Sequence, residues 1–507
     1  MAISFETIQP YLTAPAVAAA LAAVLAGTVF WNILTNILTS PIPSSVPGPL
    51  LARLTYKWLI AVDTSGYRGR TVHELHKKYG PVVRLSPSEV SFSSKDAVKS
   101  IYSASATVIK GPAYDHFGRK GMFQMKDPQE HRERYRRVAH IFSASSLQQM
   151  EPLVQAVMDR TVAAFVQRAG QAVDALHWCR MMALDVAGEV LMGKAFGAFE
   201  GEGGKAPVYV DHLDNAYIVW NLWSIAPLLC WVLELLPIKG IREFFAGGDY
   251  VYKYGADAVH DYIAREGRAS SRRNLLTKLI AGNDENGTEP LSDEDIITEV
   301  SNLTFAAVDT TGNTATYALY RLACHPEWQQ KLQREIRASG AADKGFAYKA
   351  VQGLPILNAV YTETLRLHPA APSALPRQTV APITEIAGLQ LPAKTLVSMQ
   401  ATTTQRDPAY FPKPEQFDPS RWLTADGQIY QGTPDMQEMM IVWGGKGPRV
   451  CMGQYMATME IKLLLARLMA QFTVRLQSEA THDEMVMTDH FTLIPKGKRC
   501  GLVFTVE

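Results

Sequence analysis

From Leu291 to Cys324 the sequence reads as one unbroken helix, and a helix of that length sets the size of whatever packs around it. Ser292 can cap its start, and Asp293, Glu294 and Asp295 put negative charge at the positive end of the helix dipole. His325-Pro326 stops it, because proline lacks the N–H and disfavours helical geometry in the residue before it. At about 1.5 Å per residue, roughly 32 residues span roughly 48 Å, enough to cross a whole domain. Gly312 is its one interruption, yet Asp309-Thr310-Thr311 stands near the middle. Asp and Thr are poor helix-interior residues, so a polar cluster in an apolar stretch asks for a chemical reason.

A second feature lies near the C-terminal end. The run Val442-Trp443-Gly444-Gly445-Lys446-Gly447-Pro448-Arg449-Val450-Cys451-Met452-Gly453 sets a cysteine among glycines, ahead of a helical segment that extends to about Arg475. A thiolate that ligates a metal needs positive charge and hydrogen-bond donors around it. Arg449 supplies charge, glycine lets the backbone approach a flat ligand, and the following helix adds its positive end. One cysteine cannot make a zinc or iron–sulfur site, which needs several protein ligands, whereas a haem iron needs only one thiolate. Gly447-x-Arg449-x-Cys451-x-Gly453 resembles the haem-ligand signature of the cytochrome P-450 family, and so does the chain as a whole. It departs from the pattern at Gly444, where the family usually has Phe; an aromatic residue, Trp443, stands one place earlier.

The resemblance implies a mainly α fold with small β-sheets, the cytochrome P-450 fold, preceded here by an N-terminal transmembrane helix. It implies haem b as cofactor, with Cys451 as the axial ligand of its iron. Ala306-Ala307-Val308-Asp309-Thr310-Thr311 is similar to the family's acid–alcohol pair, with Ala307 where Gly is usual. On that likeness Thr310 positions a water in an oxygen groove and Asp309 feeds it protons, which makes both catalytic. The competing reading is a threonine bonded back to its own helix and an aspartate in a core ion pair.

Glu363 and Arg366, three apart on a helix that ends at Pro369, share one face, and Arg421 closes a proline-rich stretch from Phe411 to Trp422. In the family such residues form a buried charge triad behind the haem, so Glu363, Arg366 and Arg421 are expected to be structural. Arg377 stands where the family places a partner for a haem propionate, and Arg449 is expected at the cofactor too. In His131-Arg-Glu-Arg-Tyr-Arg-Arg137 the family pattern would put Arg four places after His131, where this chain has Tyr135. His131 and Arg136 are expected at the propionates, with Arg134 the alternative to Arg136; the plainer reading is a solvated basic helix face. Ala371 to Leu375 and Phe491 to Leu493 are expected to face substrate.

Residues from about Tyr11 to Trp31 are uncharged and rich in Ala, Leu and Val, long enough to cross a bilayer. The only charge before them is Glu6 and the first basic residues, Arg53 and Lys57, follow, so the run reads as an uncleaved anchor with the remainder in the cytosol. Pro41, Pro43, Pro47 and Pro49 then make a stiff, non-helical hinge. The expected division is an anchor over 1–40, a hinge over 41–50 and one catalytic domain over 51–507, on the endoplasmic reticulum membrane. The triplets Asn286-Gly-Thr288 and Asn302-Leu-Thr304 would then stay unglycosylated. Residues 80–94 alternate and read as short strands. The apolar stretch Ile218–Pro237 reads either as a core helix pair or, by resemblance, as a channel lid that dips into the membrane surface.

Five cysteines, odd in number and without a CxxC pair, argue against a disulfide framework. A net charge of +1 gives no field for nucleic acid. Gly188-x-x-x-x-Gly193-Lys194-Ala195 lacks the hydroxyl of a phosphate loop, and no GxGxxG is present, so electrons must come from another protein. The expectation is a membrane-bound haem-thiolate monooxygenase that takes O2 and electrons from NADPH-cytochrome P-450 reductase to oxidise a hydrophobic small molecule. The motif spellings resemble fungal members that tailor terpenoids or polyketides. Two rivals are a reductase-independent haem-thiolate isomerase or dehydratase, which would not need Asp309 and Thr310, and a non-enzymatic haem-binding protein.

Overall fold

The computed structural model of the chain describes residues 14–103, 106–200, 206–282 and 290–507. Helices form the body and four small sheets flank it. The first helix, α1 (Ala14–Thr39), carries no charge, and its residues 18–39 are long and apolar enough to cross a membrane. It stops at Ser40-Pro41. The proline segment that follows lies against the body instead of bridging free. Strand β1 (Val82–Arg84) holds it, with the Arg84 guanidinium donating to the Ile42 and Pro43 carbonyls at 2.8 and 2.9 Å.

Residues 80–94 form β1 and β2 (Glu89–Phe92), paired antiparallel across the turn at Pro87. They join β3 (Val108–Lys110), β5 (Arg377–Thr379) and β8 (Leu396–Ser398) in a five-stranded sheet of order β1-β2-β8-β5-β3. A three-stranded sheet joins β4 (Ala172–Asp174), β12 (Gly501–Val506) and β9 (Phe472–Leu476). Two hairpins complete the set, β6–β7 (Ile383–Ile386, Leu389–Pro392) and β10–β11 (Met487–His490, Thr492–Pro495).

The main core gathers around α2 (Pro128–Val138), α3 (Ala144–Val166), α4 (Ala175–Ala187), α5 (Val208–Ile225) and α7 (Gly247–Glu266), with the short α6 (Pro227–Glu234) outside it, from the earlier part of the chain. From the later part come α8 (Asp293–Cys324), α9 (Pro355–Leu367) and α10 (Gln454–Gln471). The long central helix α8 begins with Ser292 accepting the Asp295 N–H at 3.1 Å and ends at His325-Pro326. It is buried on almost every face. Gly312 lets α4 come close: a Cβ there would lie 2.9 Å from the Arg180 Cα. Asn302 and Thr304 are buried in this helix, which closes that triplet to glycosylation, while Asn286 lies outside the described residues.

The apolar stretch 218–237 divides at Ala226-Pro227. Trp220 on α5 is buried, whereas Leu228 and Trp231 on α6 are 72% and 54% exposed. Half of the stretch is therefore core and half an uncovered apolar surface, which hydrophobicity alone could not separate.

Candidate active site

Cys451 sits three residues before α10, and the turn that carries it is shaped by glycine. Gly445 has φ +90, and a Cβ there would lie 2.5 Å from the Tyr102 Cβ, so no other residue fits without displacing that neighbour. The Cys451 N–H donates to the Trp443 carbonyl at 2.9 Å. Of the five cysteines, Cys451 alone is exposed, yet packed protein surrounds it: burial pushes its thiol pKa up, while the Gly453 and Gln454 N–H groups donate to the sulfur and pull it down. Both observations describe a thiol that faces an interior space.

Helix α8 has a second such surface. In its otherwise buried middle Ala306 is exposed and Leu303, Ala307 and Thr310 are half-buried. Their spacing of three and four puts them on one stripe. Asp309 points away from that stripe. It is buried, and its Oδ1 accepts from Arg180 Nε at 2.9 Å; Arg180 reaches on to Asp214, half exposed on α5, at 2.5 Å. Burial raises the Asp309 pKa above the usual carboxylate value, against the lowering pull of Arg180. Thr310 Oγ1 donates to the Ala306 carbonyl at 2.8 Å. Both catalytic candidates are thus engaged, Thr310 by its own helix and Asp309 by an ion pair, and only the Thr310 lone pairs remain free for a ligand.

A group of cations collects nearby without counter-charge. Lys110 on β3 and Arg377 on β5 are direct partners in the antiparallel pair, and like charges in that position repel. The buried Lys110 ammonium donates to the Phe123 carbonyl and lies 4.6 and 4.4 Å over the Tyr114 and Phe123 rings. Burial drives its pKa well down, and Arg377 and Arg449 add to the effect. Arg377 donates to the Tyr114 hydroxyl at 3.3 Å. Arg449 donates to the Met125 carbonyl at 2.7 Å, and burial lowers its pKa to about 10. His131 is buried, with its pKa lowered to about 3 by burial, Arg449 and Lys110. Among the described residues no carboxylate pairs with Lys110, Arg377, Arg449 or His131.

The structure therefore joins His131, Arg377 and Arg449 and adds Lys110, which sequence reasoning missed. A lysine closing the apolar run Val108-Ile109 was the only signal. Arg136 is exposed and stands outside the group, because it lies on a different face of α2 from His131. Arg134 instead pairs with Asp295 at 2.5 Å and Glu299 at 3.4 Å.

On α9, Arg366 grips Glu363 with two bonds of 2.8 Å, and both are fully buried. Glu363 also accepts from Trp422 Nε1 and the Asp418 N–H, each at 2.9 Å. Arg421 Nε lies 3.4 Å from Glu363 Oε1, an ion-pair distance without hydrogen-bond geometry.

On the substrate side Ser373, Ala374 and Phe491 line a cavity of about 280 Å³, whereas Thr492 and Leu493 are buried. Neither Cys451 nor Thr310 is among its walls. An aromatic layer leads from it toward α8: Phe117–Phe491 at 4.5 Å, Phe123–Phe491 at 5.9 Å and Phe123–Phe305 at 6.3 Å.

An exposed interior thiol with two N–H donors, beside unpaired cations, fits a haem that brings one iron and two carboxylates. The model of one protein family, described as Cytochrome P-450, matches residues 47–501. The cytochrome P-450 monooxygenase tazI of Aspergillus terreus is 28% identical over 89% of this chain and 92% of its own length. For orf2 of Aspergillus niger the values are 29%, 87% and 90%, and for stcB of Emericella nidulans 30%, 90% and 88%; both bear the same enzyme name.

Proposed function

The chain belongs to the cytochrome P-450 family of haem-thiolate monooxygenases, and on that premise we propose that it inserts one oxygen atom of O2 into a terpenoid or polyketide in secondary-metabolite biosynthesis. Electrons come from NADPH through a separate reductase. The chain is a single-pass protein of the endoplasmic reticulum membrane, anchored by residues 1–40 through the segment 41–50, with residues 51–507 cytosolic. The uncovered apolar side chains of α1 and α6 support this placement.

The observation that supports the reading most is the Cys451 thiol, exposed to the interior with the Gly453 and Gln454 N–H groups on its sulfur. Cys451 would hold the iron, and Lys110, Arg377, Arg449 and His131 would hold the haem carboxylates by charge-assisted hydrogen bonds. Haem b, when bound, supplies the redox chemistry by which O2 is activated, under the electron push of the thiolate.

The remaining work falls to side chains. Asp214 meets solvent and Asp309 the interior, with the Arg180 guanidinium between them. When Arg180 turns toward Asp214, an Asp309 oxygen is freed to take a proton, and its burial favours holding one. Thr310 Oγ1 donates a hydrogen bond to the Ala306 carbonyl and accepts one from a water on the exposed stripe. That fixes the water's orientation for proton transfer. The aromatic layer around Phe117, Phe123 and Phe491 keeps bulk water from the site. Glu363, Arg366 and Arg421 act only on the fold.

The test is spectroscopic and then chemical. The dithionite-reduced protein under carbon monoxide should show the red-shifted absorption band of thiolate ligation. Microsomes containing chain and reductase should then hydroxylate a terpenoid or polyketide only with NADPH. Absence of the band ends the haem-thiolate assignment; turnover without NADPH ends the monooxygenase one.

A further inference from the structure

The cavity of about 280 Å³ has two unlike walls. One is aromatic, made by Tyr114, Phe117 and Phe491. Phe491 sits at the tip of the β10–β11 hairpin with φ +81, a conformation that a bulky residue holds only when its surroundings impose it. Its ring is pressed against Phe117 at 4.5 Å, so the hairpin spends backbone strain to keep an aromatic face on this cavity.

The rest of the lining is polar and unbalanced. It presents three carboxylates, Asp63, Glu89 and Asp489, to a single cation, Arg68. Arg68 is already committed, at 2.8 Å to Asp63 and 2.5 Å to Glu89. Asp489 is buried and held by the Gly69 N–H at 2.8 Å and by the Ser373 hydroxyl, with no cation in direct contact.

We propose that this cavity selects for substrates that are neutral and carry a hydroxyl, and rejects the same carbon skeleton once it bears a carboxylate. The apolar body lies on the Phe117–Phe491 face, while the hydroxyl donates to an oxygen of the acidic residues. A carboxylate in that place would join three acidic side chains, whose one arginine is already committed and of which burial already disfavours charge on Asp63 and Asp489. It follows that the enzyme acts before any step that oxidises its substrate to an acid. This selection rests on the proposed monooxygenase reading, because it names the substrate class of that site.

The experiment uses full-length holoenzyme in detergent, dodecanol and dodecanoate as matched probes, and equilibrium dialysis as the readout. Dodecanol should bind at least about tenfold more tightly than dodecanoate, the discrimination expected of one unfavourable charge contact. Asp63→Asn and, separately, Asp489→Asn should each narrow that ratio several-fold by tightening dodecanoate, with dodecanol little changed. Equal or tighter binding of dodecanoate, no binding of dodecanol, or a ratio untouched in both variants overturns the proposal. The carbon monoxide band of the same preparations is recorded alongside. If the band is present and the selectivity absent, the selection alone fails; if the band is missing, the haem-thiolate reading fails.

Discussion

Lys110 stands directly across the β3–β5 pair from Arg377, and neither side chain has a carboxylate partner among the described residues. Burial and two neighbouring cations drive the Lys110 pKa down, so gathering these like charges costs stability that an anionic ligand returns. Lys110→Met should therefore raise the thermal midpoint of the haem-free chain while haem passes faster to apomyoglobin, by about tenfold for one lost charge-assisted bond. Slower haem transfer, or a lower midpoint without haem, would count against the cation group as the carboxylate cradle.

Glu363 and Arg366 form the opposite case, a buried pair with every polar atom engaged. Arg366→Met removes three bonds to the Gln405, Pro414 and Gln416 carbonyls as well as the ion pair. It strands a carboxylate at zero exposure, at a cost of about 3–5 kcal/mol. Soluble, haem-loaded protein should be nearly lost. Adding Glu363→Gln should recover part of it, since the stranded charge goes; no recovery would place the damage in the lost carbonyl bonds.

What the sequence disclosed follows from how local each signal is. Helix α8 was legible because Ser292 caps it and Pro326 ends it within two residues of either boundary. The Cys451 turn was legible because thiol, arginine and glycines lie within one short run. Lys110 was not, since its meaning depends on Arg377, far along the chain, arriving opposite it. Arg180 and Asp214 have no local signature at all; the absence of a side chain at Gly312 brings α4 against α8 and puts Arg180 on Asp309. In α2 the sequence supplied a row of basic residues but not the rotation that sends Arg134 to Glu299 and Arg136 to solvent.

Glu299 should make stability depend on pH. It is buried, accepts from the Met122 N–H at 2.9 Å, and burial raises its pKa from 4.5 to about 7. Between those values the folded chain binds more protons than the unfolded one, so the contribution is favourable below pH ~4.5 and is lost as pH rises through about 7. Glu299→Gln keeps an oxygen for Met122 and cannot ionise. Its thermal midpoint should exceed the parent's at pH 8, by about 3 kcal/mol of stability at most, and the two should converge near pH 5. A gap that widens toward acid would reverse the assignment.

Asp309 and Thr310 give the sharpest test, because the proposed mechanism gives them different tasks. In the proposed relay Asp309 exchanges protons when Arg180 releases it toward Asp214, so Asp309→Asn should lower turnover by about a hundredfold and enlarge the solvent isotope effect. On the proposed reading Thr310, whose hydroxyl donates a hydrogen bond to the Ala306 carbonyl, acts as an acceptor that keeps a water in place. Thr310→Val preserves shape and removes that acceptor; it should leave NADPH consumption running while product formed per NADPH falls several-fold, and Thr310→Ser should restore the ratio. If Thr310→Val instead slowed NADPH consumption and product equally, the hydroxyl would be holding the helix and not the water. If both Asp309→Asn and Thr310→Val left rate and ratio alone, the ion pair and the back-bond would be the whole of their role. In that event the proton path would have to run elsewhere along the exposed stripe from Leu303 to Thr310.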